Sequence, residues 1–412
     1  MKTFTISLLS ILMLTAISCQ KPTIQPEPKP IVVNDKTKQL INDNNQFGLE
    51  LFKEVLINED STKNVMISPL SATLALAMTY NGAAGSTKTA FENMFHLNGL
   101  TTSEINQSML GLCDALTSVD QKVIMKIANS IWYRNNFQVE SDFINTNKKY
   151  YHAEVQPLDF ANPDSKNTIN QWVDEQTEHK IPSIIDHISP DDRMFLINAL
   201  YFKGDWKSEF KKANTKNKPF YLANDQVKQV PTMVQKTAMG YYNSDLFTAV
   251  ELPYGRGNFS MVLMLPNQGK KLKDLEKAFT QEDWQNWMDN FGSPAEMTIN
   301  LPKFKFEYSR KMNDDLKQLG LGIAFSDTAD FTKINTGGEL CISRVKQKTY
   351  IEVNEEGTTA AAATSVSIGV TSAGPGAIIS FDHPFLFVIK EKYTQAILFV
   401  GRVMDPSQTG GQ

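Results

Sequence analysis

The segment from Glu355 to Thr371 constrains the fold of this chain more than any other stretch of its sequence. It begins with two acidic residues and Gly357, continues with two threonines and four alanines, and contains no aromatic residue. From Thr364 onward its apolar residues fall at every second position, and the side chains of a β-strand alternate between opposite faces with that period. The segment therefore combines the composition of a loop with the pattern of a strand.

Two interpretations of this segment follow from its own residues. Small polar tracts are typical of flexible linkers, which have no need of alternation. A segment that is a loop in one state and a strand within a sheet in another does need it, and small residues at its start would let it enter between neighbouring strands. In that case one face of the strand carries Thr358, Ala360, Ala362, Thr364, Val366, Ile368 and Val370.

Length and charge exclude several classes of protein. The chain has 412 residues, which fits two or three domains or one large one, and 41% of them are hydrophobic, enough for a sizeable core. The formal net charge is −4 and no basic block occurs, so the sequence does not indicate a nucleic-acid-binding protein. Beyond the N-terminal segment no run of 18 apolar residues occurs, which argues against a membrane-spanning helix.

The N-terminus has the features of a targeting segment. Lys2 supplies a positive charge, an apolar stretch follows, and small residues lead to Cys19. This arrangement resembles a bacterial lipobox, which implies cleavage before the cysteine and a lipid on its thiol. Ordinary secretion with cleavage near Ser18 is the alternative. We expect a signal peptide over 1–18, a proline-rich tether over 19–37, and an exported protein that is lipid-anchored to the bacterial cell envelope, either surface-exposed or secreted.

The cysteines and histidines give no sign of a disulfide framework or a metal site. If Cys19 carries lipid, only Cys113 and Cys341 remain, and neither has a Cys or His neighbour at metal-ligand spacing. The five histidines form no H-x-x-x-H pair. We therefore expect neither a metal nor a cofactor.

Enzyme motifs are also missing from the sequence. There is no G-x-S-x-G nucleophile elbow, and the acidic residues are too dispersed to nominate a catalytic carboxylate pair. The stretch from Asn81 to Thr89 has the composition of a phosphate-binding loop, but Thr87 occupies the place of the second glycine that the pattern requires. A helix end and a turn explain this stretch, so we do not expect an enzyme.

Hydrophobic periodicity predicts the main helices and strands. Phe47, Leu51 and Val55 mark an amphipathic first helix, and Ser68-Pro69 marks the start of a second, buried helix. Strands are predicted over residues 124–133, 194–202, 249–252, 259–265, 297–306, 348–353, 385–389 and 396–403. Helices dominate the first half and strands the second, which indicates a mixed α+β domain with large sheets.

Eight short motifs occur in order along the chain. They are Asn64-Val-Met-Ile-Ser68-Pro69-Leu-Ser71, Gly82-Ala-Ala-Gly85-Ser-Thr, Asn198-Ala-Leu-Tyr-Phe-Lys-Gly-Asp-Trp206, Glu251-Leu-Pro-Tyr, Leu301-Pro-Lys303-Phe, Val353-Asn354-Glu355-Glu356-Gly357-Thr358, His383-Pro384-Phe385 and Leu398-Phe-Val-Gly401-Arg402-Val. Together they resemble the serpin family, a serine-protease-inhibitor-type fold, over residues 38–407, with a tail over 408–412. The resemblance implies a single large α+β domain with a helical N-terminal half, three β-sheets and an exposed reactive-centre loop at about 355–380.

The resemblance implies a function for the opening segment. The hinge of the loop would comprise Glu355, Glu356, Gly357, Thr358, Thr359, Ala360, Ala361, Ala362, Ala363 and Thr364, and inhibitory members carry the same order of Gly, Thr and small residues. A protease would attack the loop and form an acyl-enzyme, and the cleaved segment 358–370 would then enter the main sheet as a new strand. The alternatives are a non-inhibitory serpin that acts as a binding or chaperone-like protein, and an unrelated hydrolase.

The resemblance also assigns supporting positions one at a time. Four match the cluster beneath the central sheet that lets its strands part: Ser68, Ser71, Asn198 and Gln347. Three match the end of the sheet at which the loop inserts, the last two as an ion pair: Trp206, Lys303 and Glu355. Gln347 stands where the family often has a histidine. Because an amide does not titrate near neutral pH, we expect no pH step in sheet opening from this position.

The loop sequence restricts the target. Family counting from Gly357 places the cleaved bond at Thr371–Ser372, with Val370 and Ala373 as alternatives. No lysine or arginine follows Gly357 until Lys390, which argues against trypsin-like proteases, whose pocket holds a carboxylate. Small aliphatic residues suit elastase-like or subtilisin-like serine proteases, and Val370 also suits papain-like cysteine proteases. The predicted partner is a protease held in a covalent complex by a monomeric inhibitor.

Overall fold

A computed structural model describes residues 27–358 and 376–410. The predicted signal peptide and Cys19, the predicted hinge residues after Thr358, and the predicted cleaved bond Thr371–Ser372 with its alternatives lie outside the described residues. None of the helices in the described ranges has the length and apolar character needed to cross a bilayer.

The helices are concentrated in the first half of the chain. They are α1 Asp35–Ile57, α2 Pro69–Tyr80, α3 Gly85–Met94, α4 Thr102–Ser118, α5 Ser141–Tyr151, α6 Ser165–Gln176, α7 Leu272–Ala278, α8 Gln281–Asp289 and α9 Asn313–Leu316. Short helical turns lie at Lys212–Asn214, Lys317–Leu321 and Gly322–Phe325. The predicted start of the second helix is confirmed, because the Ser68 side chain accepts a hydrogen bond from the Ser71 backbone N–H and Pro69 stands in the first turn.

The strands alternate with these helices and then dominate the second half. They are β1 Val65–Ile67, β2 Val123–Arg134, β3 Glu154–Leu158, β4 Met194–Asp205, β5 Lys216–Tyr221, β6 Val227–Asn243, β7 Phe247–Tyr254, β8 Phe259–Pro266, β9 Gly292–Pro302, β10 Phe304–Lys311, β11 Lys346–Val353, β12 Gly357–Thr358, β13 Ile378–Ser380, β14 Phe385–Glu391 and β15 Ile397–Val403. The predicted mixed α+β architecture is confirmed.

The strands of the described ranges form two hydrogen-bonded sheets. The larger one has the order β1-β15-β14-β8-β7-β6-β9-β13, with β5 also on β6, and the smaller one has the order β10-β11-β12-β4-β2-β3. The larger sheet has two parts, because only the last residues of β6 pair with β7 while the rest of β6 pairs with β5 and β9. These two parts and the six-stranded sheet correspond to the three sheets that the resemblance implied.

Strand β4 lies at the centre of the six-stranded sheet and is covered on both faces. Helix α2 packs against one face, and α6 packs against the other, where Phe195, Ile197 and Ala199 join a second core with Trp132 and Trp172. This double coverage explains the nearly unbroken apolar run predicted to be a central strand.

The prediction of one strand over 297–306 was wrong in one respect. The chain ends β9 at Pro302 and begins β10 at Phe304, and the two strands belong to different sheets. The buried positions shift by one residue at the break, from Ile299 and Leu301 to Phe304 and Phe306. Lys303 stands at the break, and its side chain therefore points to the end of the six-stranded sheet instead of along a strand face.

The tether predicted for 19–37 ends earlier than expected. Helix α1 begins at Asp35 because the Asn34 side chain caps it by accepting from the Thr37 backbone N–H. Residues 27–34 are not helical, and the Asn258 side chain exchanges two hydrogen bonds with the Lys29 backbone, at 3.1 and 2.6 Å.

The predicted C-terminal tail also contacts the folded body. The Thr409 carbonyl oxygen accepts a hydrogen bond of 3.2 Å from the Glu307 backbone N–H on β10. The Gln408 side chain donates to the Thr62 carbonyl oxygen and accepts from the Asn64 backbone N–H. The described part of the tail therefore belongs to the domain.

Candidate functional site at the centre of the six-stranded sheet

The two residues of β12 lie between β4 and β11. Thr358 pairs with Val353 of β11 on one side and with Gly204 of β4 on the other, and Gly357 pairs with Asp205. Both pairings are antiparallel, so β4 and β11 run parallel to each other. In the residues that the structure describes, β4 and β11 are connected across the sheet only through β12.

Gly357 is required at its position by the close approach of β4. A Cβ atom added to Gly357 would lie 2.2 Å from the Gly204 carbonyl oxygen and 2.6 Å from the Asp205 Cα. Both are backbone atoms, so they cannot move without displacing the strand. The glycine of the predicted hinge therefore lets β12 pair with β4.

Thr358 is buried beneath an aromatic pair. Its hydroxyl oxygen lies 2.7 Å from the Tyr254 hydroxyl oxygen, and burial raises the pKa of Tyr254 well above its usual value, so this phenol stays protonated. The Tyr254 ring stacks on Trp206 with ring centroids 4.5 Å apart, and the Trp206 indole N–H donates to the Asn354 carbonyl oxygen at 2.9 Å. Trp206, which was predicted to lie at the end of the sheet where the loop inserts, thus lies directly beside β12.

Two acidic residues before β12 are fixed by cations. Lys303 Nζ lies 2.8 Å from Glu355 Oε2, and the Thr215 hydroxyl donates to Glu355 Oε1 at 2.8 Å. Burial would raise the pKa of Glu355, but the hydrogen bonds from Lys303 and Thr215 outweigh it and hold the pKa below its ordinary value. Lys212 Nζ lies 2.5 Å from Glu356 Oε1. The structure therefore brings Lys303 and Glu355 together as an ion pair, and their role in loop insertion stays a prediction.

Three of the four residues predicted to lie beneath the sheet contact one another. The Gln347 amide bridges the Ser68 backbone, accepting from its N–H and donating to its carbonyl oxygen, each at 2.9 Å. The Ser68 hydroxyl donates to the Leu398 carbonyl oxygen at 2.7 Å and accepts from the Ser71 backbone N–H. Gln347 of β11 is therefore tied to the start of α2.

Asn198 has a separate partner. Its amide donates to Asn129 Oδ1 at 2.8 Å, and Asn129 stands directly opposite it on β2. In the part of the chain that the structure describes, the buried Asn198 Oδ1 has no hydrogen-bond partner. Asn198, Ser71 and Gln347 nevertheless face one cavity of about 360 Å³, which lies between β4 and β11 at the end remote from β12.

Sequence reasoning did not give a role to Tyr254, Asn129 or Thr215. Tyr254 is the last residue of the motif Glu251-Leu-Pro-Tyr, so the motif could have pointed to this residue. Asn129 could have been found because Asn198, the polar residue of an apolar strand, needs a buried polar partner. Thr215 lies in an exposed turn and carries no sequence signal for its contact with Glu355.

Metal binding finds no support in the described ranges, which hold no group of three or more His, Cys, Asp or Glu side chains placed to bind an ion. Cys113 is partly buried and Cys341 is exposed, and both are free thiols. The arrangement around β12 instead offers a place where a strand can extend between two parallel neighbours.

Comparison with known proteins agrees with this geometry. Residues 42–406 match the family described as Serpin (serine protease inhibitor). The human leukocyte elastase inhibitor is 36% identical over 382 residues, covering 90% of this chain and 100% of that protein. A serpin-like protein of Thermococcus kodakarensis is 33% identical, covering 91% of this chain and 88% of that protein.

A solved structure shows the same fold. The thermophilic serpin tengpin in its native state has a TM-score of 0.82 and 31% identity, covering 92% of this chain and 97% of that one. The serpin fold predicted from the motifs is therefore confirmed, and membership supports a general role in protease inhibition rather than catalysis. This chain belongs to the serpin family.

Proposed function

We propose that this protein is an irreversible suicide-substrate inhibitor of proteases. A protease attacks the loop near Thr371–Ser372, and insertion of 358–370 between β4 and β11 traps the acyl-enzyme. The observation that carries the proposal is the position of β12, which already places Thr358, the first residue of that segment, between β4 and β11.

The register of β12 supports this proposal in detail. Both pairings of β12 are antiparallel. Each further residue after Thr358 would therefore pair with a residue one position earlier in β4 and in β11. Continued for six residues, the register places Thr364 opposite Gln347 of β11 and Asn198 of β4. The strand would thus reach Asn198 and Gln347, which both face the cavity at the far end of the sheet.

The face of the inserted strand is set by Thr358. Its side chain points into the core against Tyr254, and side chains of a strand alternate. Val366, Ile368 and Val370 would share that core-facing side. The odd-numbered positions from 359 to 369, all Thr, Ala, Ser or Gly, would occupy the opposite face.

The chemical step needs only the protease's own nucleophile. Its serine or cysteine attacks the Thr371 carbonyl carbon, an ester or thioester forms, and the peptide bond to Ser372 breaks with release of a new amino terminus. Residues 358–370 would span roughly 43 Å as a strand, so insertion moves the attached protease by about the length of the domain. Ile378–Ser380 would stay paired with β9, which separates the two cut ends.

The target class follows from the loop residues. Small aliphatic residues around Thr371 suit elastase-like or subtilisin-like serine proteases, and Val370 suits papain-like cysteine proteases. We place elastase-like enzymes first, and the 36% identity to a leukocyte elastase inhibitor supports this order. The inhibitor acts as a monomer.

We further propose that the protein is exported and lipid-anchored at Cys19. The small residues before Cys19 and the prolines after it support this proposal. Metabolic labelling with a radioactive fatty acid would label the wild type and leave Cys19→Ser unlabelled. Label on both proteins, or on neither, would contradict the anchor.

The decisive experiment mixes the protein with pancreatic elastase and separates the products on a denaturing gel. We expect a band at the summed mass of the protease and the cleaved inhibitor, together with loss of elastase activity. Quantitative loop cleavage with fully active elastase would instead favour the non-inhibitory, chaperone-like alternative. Subtilisin and papain, run in parallel, rank the remaining target classes.

A further inference from the structure

A lysine-rich strip lies between the two points at which residues 359–375 join the described fold. Residues 211–218 contain four lysines and no acidic residue, in a chain whose net charge is −4. Lys212 pairs with Glu356, and Lys218 donates to Asn300. Lys211 and Lys216 are exposed, and the structure gives them no ion-pair partner within residues 27–358 and 376–410.

The strip contacts the chain on both sides of the loop. On the side before the loop, Lys212 and Thr215 contact Glu356 and Glu355. On the side after the loop, Lys218 Nζ donates to Asn300 Oδ1 at 3.0 Å, and Asn300 Nδ2 donates to the hydroxyl oxygen of Ser380 at 2.7 Å. Ser380 is the last residue of β13.

A protease bound at the predicted bond would lie within reach of this strip. Thr371 is five residues from Gly376, so the chain can carry it at most about 18 Å from that residue. β5 is three strand spacings from β13, roughly 14 Å. A protease of about 220 residues has a radius of gyration near ~17 Å, so it is more than ~40 Å across.

We propose that the lysine-rich strip is a docking surface for an acidic patch beside the active-site cleft of the target protease. This inference rests on the proposed inhibitory function. From Gly357 to Phe381 the chain contains no charged residue, so the loop itself cannot select a protease by charge. Lys211 and Lys216 supply that selection from outside the loop.

The strip should act mainly on the rate at which the protease associates with the inhibitor. Complementary charges at the rim of an interface raise the association rate more than they slow dissociation, and salt screens them over about 10 Å at 0.1 M. An extended polyanion is less favoured than a protein patch, because two of the four lysines are already engaged and binding to a polyanion depends on many simultaneous charge contacts.

The test uses pancreatic elastase in two forms, native and with its lysines succinylated, each calibrated by turnover of a small chromogenic substrate. Second-order inhibition rates are measured for the wild type, for K211E/K216E and for K311E/K333E. The last variant makes the same charge change at two exposed lysines; Lys311 pairs with Lys346 at the end of the six-stranded sheet remote from β12. Melting temperatures of all three proteins verify folding.

We expect succinylation to raise the inhibition rate of the wild type about tenfold at about 0.02 M salt and to have little effect at about 1 M. K211E/K216E should lose this gain, and K311E/K333E should keep it. Equal rates for the two double variants would overturn the inference while leaving covalent inhibition intact.

Two other outcomes differ from equal inhibition rates of the two double variants. Retention of the wild type, but not of K211E/K216E, on immobilised heparin, with elastase rates unaffected by the variant, would assign the strip to a polyanion and overturn the inference. Failure of every variant to form a covalent complex with either elastase would overturn the proposed function, and the inference with it.

Discussion

The hydroxyl oxygens of Tyr254 and Thr358 lie 2.7 Å apart in the buried space at the end of the six-stranded sheet. Tyr254 belongs to the nine-stranded sheet and Thr358 to the six-stranded sheet, so this contact joins the two sheets where the loop begins. Because Thr358 is almost fully buried, the first residue of the predicted inserting segment already has the environment of a sheet interior. Substitutions here test insertion directly.

Replacing Thr358 by arginine should convert the inhibitor into a substrate. A buried guanidinium without a partner costs several kcal/mol, which slows insertion relative to hydrolysis of the acyl-enzyme. We expect the number of inhibitor molecules consumed per protease inactivated to rise about tenfold or more. Titration of elastase activity gives this ratio. The matched control Thr358→Ser keeps the hydroxyl and should stay near the wild type; an unchanged ratio for the arginine variant would count against insertion.

Gly357→Ala should weaken β12 in the uncleaved protein. The added Cβ would clash with the backbone of Gly204 and Asp205. Such overpacking lowers the free energy of unfolding by about 1–3 kcal/mol. Gly111→Ala on α4 is the control, because its Cβ would meet nothing within 4 Å and alanine favours a helix by about 1 kcal/mol. Thermal unfolding should therefore move in opposite directions for the two variants, and a shared sign would contradict the close approach of β4.

The positions around β12 show what could be predicted from the sequence and why. Gly357, Lys303 and Glu355 belong to the ordered motifs, and the resemblance of those motifs predicted where these residues lie. No local sequence pattern indicates an ion pair between Lys303 and Glu355, which are far apart in the chain. The alternation after Thr364 predicted a strand because one face must be apolar wherever it is buried.

Other features could not be predicted because they depend on tertiary contact. The split at Lys303 was hidden by buried residues on both sides, although the phase of the alternation changes there. The Asn198–Asn129 pair depends on strand register, which a single sequence does not specify. The four lysines of residues 211–218 do not by themselves indicate a role. Only the fold shows that they lie between the two ends of the loop.

Gln347 should act as a clamp that does not respond to pH. Gln347→Ala leaves the Ser68 backbone N–H and carbonyl unpaired, which should cost about 1–3 kcal/mol in the free energy of unfolding at all pH values. It should also change the rate of insertion. Urea unfolding and stopped-flow inhibition measure the two effects, and unchanged insertion in Gln347→Ala would remove Gln347 from the mechanism.

A Gln347→His variant should introduce the pH step that the wild type lacks at this position. Protonated imidazole has two donors and cannot accept from the Ser68 N–H, so the folded state disfavours protonation. Stability relative to the wild type should therefore fall as the pH drops below about 6.5, the ordinary pKa of histidine. Urea unfolding of both proteins across this range measures the difference. If the stability of the Gln347→His variant differs from that of the wild type by the same amount at every pH from about 8 to about 5, the two-sided hydrogen bonding of Gln347 is contradicted.

Asp43 on α1 should make the folded state less stable as the pH rises from about 4 to about 6. Burial raises the pKa of Asp43 to about 6, and His96 and Gln39 oppose this effect only in part. Between the usual carboxyl pKa and this raised value the folded state binds more protons than the unfolded state, so stability falls with rising pH across that window. Asp43→Asn removes the fall and should melt at a higher temperature than the wild type at pH 7, with the gain vanishing below pH 4. Asp245→Asn makes the same change at an exposed side chain and serves as the matched control. A constant difference between Asp43→Asn and the wild type from pH 4 to 7 would show that Asp43 titrates alike in both states.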